Sequence, residues 1–231
     1  MSKSIVCLPG FLCDDRLWKH QRDILASQDC KFLDLRHSEN LNQMLEQIEQ
    51  SFTTPLTLIG FSMGAYVAQV FATRFPHRVE ELILIGATGC PFSDSEFKAR
   101  VQTANTLKKV AFGGLSPKAL KHYIHEDALN NEAIRNQILE MAAGNNTEMY
   151  LNQLNATLHR MDLKMSLNSL RFPITLIGAA QDQITPLEKV EAFQRAIPRS
   201  TLYIIEGSGH FIPLEKPEEL NAILMAALAL N

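Results

Sequence analysis

The sequence predicts an α/β fold, with a doubly wound and mostly parallel sheet of about six strands. Apolar runs of strand length recur along the chain, and helical patterns separate most of them. The runs are rich in Ile, Leu and Val and lack polar alternation, which is typical of strands that a parallel sheet buries on both faces. Because parallel strands need crossovers, the alternation indicates right-handed strand–helix–strand units. One long interval without any strand signal predicts a helical insertion.

Six apolar runs predict the strands in order: Ser4–Leu8, residues 30–35, Leu56–Phe61, and residues 82–86, 174–178 and 202–205. The helices between them follow from apolar spacing and from proline. One helical face is predicted from spacings of i, i+3, i+4 and i+7 at Leu41, Met44, Leu45 and Ile48. Pro186 and Pro217 stand where first helical turns begin, and Pro76 ends the helix that follows Ser62.

The interval from residue 91 to residue 171 carries helical patterns only, interrupted at Gly113-Gly114 and at residues 143–146. We therefore expect a core formed by residues 1–90 and 172–231. Residues 91–171 are expected to form a helical cap over one end of the sheet. A chain of 231 residues is long enough for one substantial core that carries such an insertion.

Composition and charge exclude some classes of protein. The 22 Lys and Arg residues and 25 Asp and Glu residues give a formal net charge of -3, without the basic excess of a nucleic-acid binder. The N-terminus shows no signal-peptide pattern, and the apolar stretch at residues 220–230 is too short to span a bilayer. We therefore expect a cytoplasmic protein without a nucleic-acid or membrane partner. The four cysteines form no CxxC pair and no zinc-like cluster, so no metal is expected.

The motif with the clearest chemical meaning is Gly60-Phe61-Ser62-Met63-Gly64. It closes an apolar run and opens a helical pattern, the strand–turn–helix context in which GxSxG forms a nucleophile elbow. The sharp turn crowds the backbone, so the positions two before and two after the serine must be small. The hydroxyl then projects at the start of a helix, whose dipole favours developing negative charge. We predict that Ser62 is a nucleophile.

A serine hydroxyl needs a base to take its proton, and the base must be a histidine that a carboxylate orients. Of seven histidines, His210 directly follows the last predicted strand, where loops at strand carboxyl ends build active sites. The other six have polar or charged neighbours and are interpreted as surface or capping residues. Asp182 follows the strand predicted at residues 174–178 and is the candidate carboxylate. Its alternative role is a favourable charge before a helix N-terminus.

An acyl-transfer intermediate needs N–H donors for its oxyanion. Met63 follows the nucleophile and can supply one backbone N–H. The second is expected from the loop after the first strand, where Phe11 is the first candidate and Leu12 the next. Apolar residues that flank these positions are candidates for an acyl pocket, although each could be ordinary core: Phe11, Met63, Ile184 and Phe211. This chemistry needs no metal or cofactor.

These motifs together resemble the α/β-hydrolase superfamily, in its capped, bacterial carboxylesterase-like branch. The resemblance covers nearly the whole chain and is carried by residues 8–11, 18, 60–64, 75–79, 182–186, 209–211 and 215–217. It implies the α/β-hydrolase fold, a Ser62/Asp182/His210 triad in that chain order, and a helical cap at about residues 91–171.

Three departures from that pattern are visible. Pro9-Gly10 stands where the superfamily often has His-Gly, and Asp182 lies four positions after Gly178, one more than the commonest spacing. Two strands that usually precede the first one have no counterpart, which implies a minimal six-stranded sheet.

The predicted function is hydrolysis of small carboxylic esters or thioesters, with Ser62 attacking the carbonyl and His210 acting as general base. The same machinery can serve a lyase, an acyltransferase or a C–C bond hydrolase. A non-enzymatic ligand sensor can also retain a triad. The fold alone does not separate these alternatives.

Six basic residues of the presumed cap have no acid between the first and the last: Lys98, Arg100, Lys108, Lys109, Lys118 and Lys121. One interpretation is a docking face for an acidic partner, such as an acyl carrier protein. The other, which charge runs usually favour, is a solvated face of the cap helices.

Overall fold

A computed structural model describes residues 3–229; residues 1–2 and 230–231, the two ends of the predicted core, lie outside the described residues. Six strands form one sheet in the order β2-β1-β3-β4-β5-β6, and every neighbouring pair is parallel. The strands are β1 (Ser4–Leu8), β2 (Asp29–Phe32), β3 (Leu56–Phe61), β4 (Val79–Ile85), β5 (Ile174–Ala179) and β6 (Thr201–Ile205). The predicted fold class, a doubly wound parallel sheet, is confirmed.

The α-helices are α1 (Arg22–Leu25), α2 (Leu41–Glu49), α3 (Met63–Arg74), α4 (Asp94–Leu107), α5 (Glu126–Asn130), α6 (Glu132–Ala143), α7 (Thr147–Leu158), α8 (Lys164–Asn168), α9 (Leu187–Ala196), α10 (Ile212–Glu215) and α11 (Pro217–Leu228). Short 3-10 segments lie at Asp15–Trp18, Pro76–Arg78 and Pro117–His122. None of the helices between residues 3 and 229 combines the length and apolar character that crossing a bilayer would need.

The sheet separates two hydrophobic cores, one on each face. Val6 and Leu8 of β1 point into the core that contains α2, α3 and α9. Ile5 and Cys7 of the same strand point into the opposite core, together with α11 and parts of α5 and α6. Since successive side chains of a strand alternate between faces, a strand apolar at every position can supply both cores.

The two edge strands correct one expectation. β2 and β6 are not buried on both faces: Asp29, Lys31 and Thr201 are exposed, and Ile204 retains 42% of its accessible surface. Each of these strands has a neighbour on one side only, so the helices cover its outer rim less completely. The central strands β1, β3, β4 and β5 are almost continuously buried, as predicted.

The predicted boundaries of β1 and β3 agree with those in the structure, and the boundaries of the other strands differ from the prediction by up to three residues. β5 continues one residue past its predicted end, to Ala179, so the extra residue before Asp182 belongs to the strand. Pro186 is the residue before α9 rather than part of its first turn, whereas Pro217 opens α11.

The strand-free interval is helical. Helices α4 to α8 all lie between β4 and β5, and no strand occurs between those two strands within residues 3–229. The glycine pair at residues 113–114 lies in the loop after α4, and Gly144 caps α6. All of these helices are therefore inserted at the carboxyl end of β4, the edge of the sheet where Ser62 also lies.

Candidate active site

Ser62 stands in a sharp turn between β3 and α3. Its backbone has φ +52° and ψ -108°, in the left-handed half of the map that costs a non-glycine residue roughly 1–3 kcal/mol. The turn is held by a hydrogen bond of 2.9 Å from the Ser62 N–H to the Ile85 carbonyl of β4. A constrained backbone of this kind keeps the hydroxyl projecting from the edge of the sheet.

The two glycines of the motif are required by close backbone approach. A Cβ on Gly60 would lie 2.6 Å from Ala65 Cα, and a Cβ on Gly64 would overlap the carbonyl oxygens of Leu8 and Pro9. Such contacts involve main chain on both sides, which cannot rotate away. A small residue is needed at position 64 because α3 starts in contact with the end of β1.

His210 reaches Ser62 from the loop between β6 and α10. Its Nε2 lies 2.8 Å from Ser62 Oγ, and its backbone N–H donates to the Tyr123 carbonyl at 2.6 Å. The imidazole packs against Phe61, with ring centroids 4.9 Å apart. Gly86 lies beneath the ring, where a Cβ would come within 3.3–3.4 Å of it. The ring is thus fixed on several sides while Nε2 faces the hydroxyl.

Asp182 lies behind His210, with Oδ2 2.7 Å from His210 Nδ1. The other oxygen, Oδ1, accepts the N–H groups of Ile184 and Thr185, each at 2.8 Å. Burial raises the pKa of Asp182, but the positive charge that His210 can carry and these hydrogen bonds outweigh it and hold the pKa below its usual value. The carboxylate contacts residues that precede α9 rather than the first turn of that helix, so it does not act as a helix cap.

The candidate oxyanion donors differ in what they bind. The Leu12 N–H donates to Gln153 Oε1 on α7 at 2.9 Å, and Leu12 itself has φ +61°. Within residues 3–229, the N–H groups of Phe11 and Met63 have no protein acceptor. Gln153 is fully buried and also donates to Asn145, whose amide returns to the Leu12 carbonyl at 3.1 Å. Two buried amides of the helical insertion therefore hold the loop that follows β1.

A cavity of about 780 Å³ opens beside Ser62 and His210. All of the predicted pocket residues line it: Phe11, Leu12, Met63, Ile184 and Phe211. Tyr150 of α7 meets Phe11 edge to face, with ring centroids 4.8 Å apart. Helices α4, α6 and α7 supply part of its lining. The sequence pattern did not identify these lining residues, because none belongs to a recognisable motif: Arg100, Tyr123, Tyr150 and Arg160.

Glu215 is a site residue to which sequence reasoning gave no role. Its carboxylate accepts three backbone N–H groups: His125 at 2.7 Å, Gly209 at 2.9 Å and Phe211 at 2.8 Å. Burial raises the pKa of this carboxyl, although the three N–H groups oppose the shift. Because Gly209 and Phe211 flank His210, Glu215 fixes the loop that carries the imidazole. The sequence feature that could have identified Glu215 is the position of an acidic residue directly after the apolar stretch Ile212–Leu214.

The six basic residues between positions 98 and 121 separate into two groups. Five are exposed, namely Lys98, Lys108, Lys109, Lys118 and Lys121. Arg100 differs from them, because it is only partly exposed and lines the cavity. Its assignment to the same solvent-facing group is therefore wrong; helical periodicity turns position 100 of α4 inwards.

The sequence pattern of the hydrolase family described as serine aminopeptidase, S33, matches residues 35–217. The chain belongs to this family. The S33 match covers β3, the Ser62 turn, β5 and the loops of Asp182 and His210; the loop after β1, which carries Phe11 and Leu12, precedes the matched residues.

Relatives of this S33 protein include esterases and lipases. Monoacylglycerol lipase ABHD6 of Bos taurus is 25% identical over 186 residues, covering 76% of this chain and 55% of the lipase. The chain thus spans about half the length of that relative. A pimeloyl-[acyl-carrier protein] methyl ester esterase of Nitrosomonas europaea is 24% identical over 221 residues, covering 87% of this chain and 81% of the esterase.

A solved structure of a thermophilic esterase from Thermogutta terrifontis superimposes with a TM-score of 0.86 at 22% identity, covering 99% of this chain and 91% of that one. The S33 protein therefore has the α/β-hydrolase fold. Its predicted place in this superfamily, in the bacterial carboxylesterase-like branch, is confirmed.

The close packing of Gly64 gives a first prediction. Gly64→Ala is expected to lower the free energy of unfolding by about 1–3 kcal/mol or more, because the new methyl group meets main-chain oxygens that cannot move aside. Urea unfolding would measure the change. The control is Gly113→Ala, where a Cβ meets nothing within 4 Å and a change under about 0.5 kcal/mol is expected. Equal stability of the two variants would contradict this account of the turn.

A second prediction concerns Glu215. In Glu215→Gln one acceptor oxygen becomes an NH₂ group that faces backbone donors, so a loss of about 1–3 kcal/mol in unfolding free energy is expected. Thermal or urea unfolding measures it. Glu218→Gln, an exposed change on α11, serves as the control and should remain within about 0.5 kcal/mol of the parent. A Glu215→Gln protein as stable as this control would show that the three hydrogen bonds do not constrain the loop.

Proposed function

We propose that this S33-family protein hydrolyses small carboxylic esters or thioesters through an acyl-enzyme formed on Ser62. One observation carries the proposal: Ser62 Oγ, the His210 ring and the Asp182 carboxylate are linked by contacts of 2.8 Å and 2.7 Å. A buried carboxylate, an imidazole and a hydroxyl in this order activate the hydroxyl as a nucleophile. The names of the relatives, esterases and lipases, support ester bonds as the target.

In the proposed reaction, His210 Nε2 takes the proton of Ser62 as Oγ attacks the substrate carbonyl. The imidazolium then gives that proton to the departing alcohol or thiol. Water, deprotonated by the same Nε2, attacks the acyl-enzyme and releases the acid. Asp182 keeps the proton of His210 on Nδ1 and stabilises the transient positive charge, a role that suits a carboxyl whose pKa is held low.

We assign the two oxyanion donors to the backbone N–H groups of Phe11 and Met63. Both are free of protein acceptors among the described residues, and both belong to residues that line the cavity. Leu12, the second candidate, has its N–H committed to Gln153. A donor that already has an acceptor offers little extra stabilisation to a developing negative charge.

We further propose that residues 91–171 act as a cap that shapes the substrate space. Helices α4, α6 and α7 contribute residues to the lining of the cavity that Ser62 also lines, among them Arg100, Ala142 and Tyr150. The acyl or alcohol group of a substrate bound at Ser62 would therefore contact this insertion. An acidic carrier protein at the five exposed lysines stays a prediction, supported by their exposure and by the substrate that the name of the Nitrosomonas europaea relative specifies.

The triad proposal predicts specific losses of activity. Ser62→Ala should reduce hydrolysis of p-nitrophenyl esters by at least about a thousandfold, because the nucleophile is gone. Asp182→Asn should reduce kcat by about 10³–10⁴-fold, since an amide favours the wrong imidazole tautomer. Both are measured by initial rates, with circular dichroism to confirm that the variants are folded.

Other outcomes would identify the alternatives. Wild-type turnover in Ser62→Ala would refute the mechanism. Weak ester hydrolysis beside strong activity on a β-diketone or an elimination substrate would favour a C–C bond hydrolase or a lyase. Labelling of Ser62 by a fluorophosphonate, together with measurable deacylation of an ester, would rule out a ligand sensor that lacks turnover.

The oxyanion assignment predicts an effect of Gln153, which touches no reacting atom. In Gln153→Leu the Leu12 N–H loses its acceptor, so the loop that carries the Phe11 N–H is expected to shift. We expect kcat to fall by about ten- to a hundredfold while KM changes less than about threefold, because the oxyanion contact forms mainly in the transition state. Steady-state kinetics on a p-nitrophenyl ester gives both constants. Asn155→Leu, an exposed change on α7, is the control; unchanged kcat in Gln153→Leu would leave the amide with a structural role only.

A further inference from the structure

Two arginines in the cavity wall stack on aromatic rings instead of pairing with acids. Arg100 of α4 and Arg160, two residues after α7, both line the cavity beside Ser62. Their guanidinium carbons lie 3.6 Å and 4.4 Å from the centroid of the Phe92 ring. Arg160 also lies 4.9 Å from the ring of Tyr66, which is four residues after Ser62 on α3. Arg160 therefore lies next to α3, the helix that follows Ser62, and Arg100 adjoins it across the Phe92 ring.

The hydrogen-bonding capacity of these arginines is largely unused. Within residues 3–229, no carboxylate oxygen approaches either guanidinium within 4.0 Å. Arg100 donates one hydrogen bond, to the Glu96 backbone carbonyl at 3.1 Å. The Arg160 Nε is buried without any partner. A guanidinium carries five N–H donors, and leaving them unsatisfied away from water is costly.

The acid in the cavity wall does not neutralise them. Glu96 accepts the Ser93 N–H and hydroxyl at 2.7 Å each and pairs with Lys189 at 3.1 Å. The described lining thus holds three permanent cations, Arg100, Arg160 and Lys189, against the single carboxylate of Glu96. The described lining of the cavity beside Ser62 therefore carries an excess of positive charge.

Stacking on aromatic rings does not by itself satisfy the charge and the N–H donors of the two arginines. A cation–π contact stabilises a guanidinium by about 0.5–2 kcal/mol but leaves its in-plane N–H groups without acceptors. Burial, together with the charge of Arg100, lowers the pKa of Arg160 to about 10. Arg160 therefore remains charged at neutral pH in surroundings that disfavour the charge. An anion supplied from the cavity would relieve both the charge and the unmet hydrogen bonds.

We propose that Arg160 and Arg100 bind a carboxylate carried by the substrate, so that the preferred esters are anionic, such as half-esters of dicarboxylic acids. The planar guanidinium fork matches a carboxylate, and the apolar residues of the cavity suit a short carbon chain between the charge and the scissile ester. This inference rests on the proposed function, because Ser62 provides the reaction and the arginines select its substrate.

The test uses two matched pairs of esters. In the first pair the charge is on the acyl side: 4-nitrophenyl hydrogen adipate against 4-nitrophenyl hexanoate. In the second it is on the alcohol side: 6-acetoxyhexanoate against hexyl acetate, followed by pH-stat titration. We expect the wild-type protein to favour the anionic member of at least one pair by about tenfold in kcat/KM, which one charge-assisted contact would supply. The favoured pair identifies the side of the ester that faces the arginines.

Arg160→Gln should lower the ratio of anionic to neutral kcat/KM by up to about tenfold, mainly through KM, because it removes the contact that supplies the preference. Because the readout is a ratio, a general loss of activity cancels. Arg160→Lys retains the charge without the planar guanidinium and should give a ratio between those of the wild-type protein and Arg160→Gln. If Arg160→Gln does not fold, the Arg160→Lys variant provides the test instead. Lys98→Gln removes a charge from the exposed side of α4 and should leave the ratio within about twofold.

A binding measurement separates this inference from the proposed function. Adipate should raise the thermal midpoint of the Ser62→Ala protein and should not raise that of Ser62→Ala/Arg160→Gln. If neutral esters are hydrolysed without charge preference and adipate does not bind, the anion site is refuted and the esterase proposal stands. If no ester is hydrolysed but adipate binding depends on Arg160, the anion site stands and the esterase proposal is refuted.

Discussion

The close contact between the start of α3 and the end of β1 is the constraint on which the site depends. Only glycine at position 64 lets the helix backbone meet the carbonyl oxygens of Leu8 and Pro9. That contact lies directly after the sharp turn at Ser62 and places the start of α3 against the loop after β1. His210 and Asp182 then approach from the carboxyl ends of β6 and β5, because all strands of the sheet run in one direction.

Backbone N–H groups give the rest of the site its rigidity. Asp182, which is buried, receives two of them, and Glu215, which is partly buried, receives three. Each carboxylate thereby fixes the loop that donates these N–H groups. Charge-assisted hydrogen bonds of this type are stronger than neutral ones, and they leave the loops few alternative conformations. An imidazole held in this way needs little rearrangement during a proton transfer, which is the sense in which an active site is preorganised.

Local pattern and strand direction were sufficient to predict that Ser62, His210 and Asp182 come together. Ser62 was identified by its motif, and His210 and Asp182 by their positions after strands whose carboxyl ends share one edge. Gln153 could not be found this way, because its contact with Leu12 spans 141 positions and involves a helix with no distinguishing pattern. Arg160 could not be identified from the sequence either, because what distinguishes it is a buried Nε without a hydrogen-bond acceptor, which only the three-dimensional structure shows. The exposure of β2 and β6 depends on strand order, which apolar runs do not encode.

The hydrogen bonds between Leu12 and the amides of Gln153 and Asn145 have a consequence for protein engineering. The insertion between β4 and β5 is a natural target for exchange if the proposed function holds, because it lines the cavity beside Ser62 and His210 without contributing either residue. In this enzyme a transplanted insertion that lacked these two amides would release the strained turn at Leu12. A chimera would therefore have to carry both amides over, or redesign the turn, before its new specificity could be expressed as turnover.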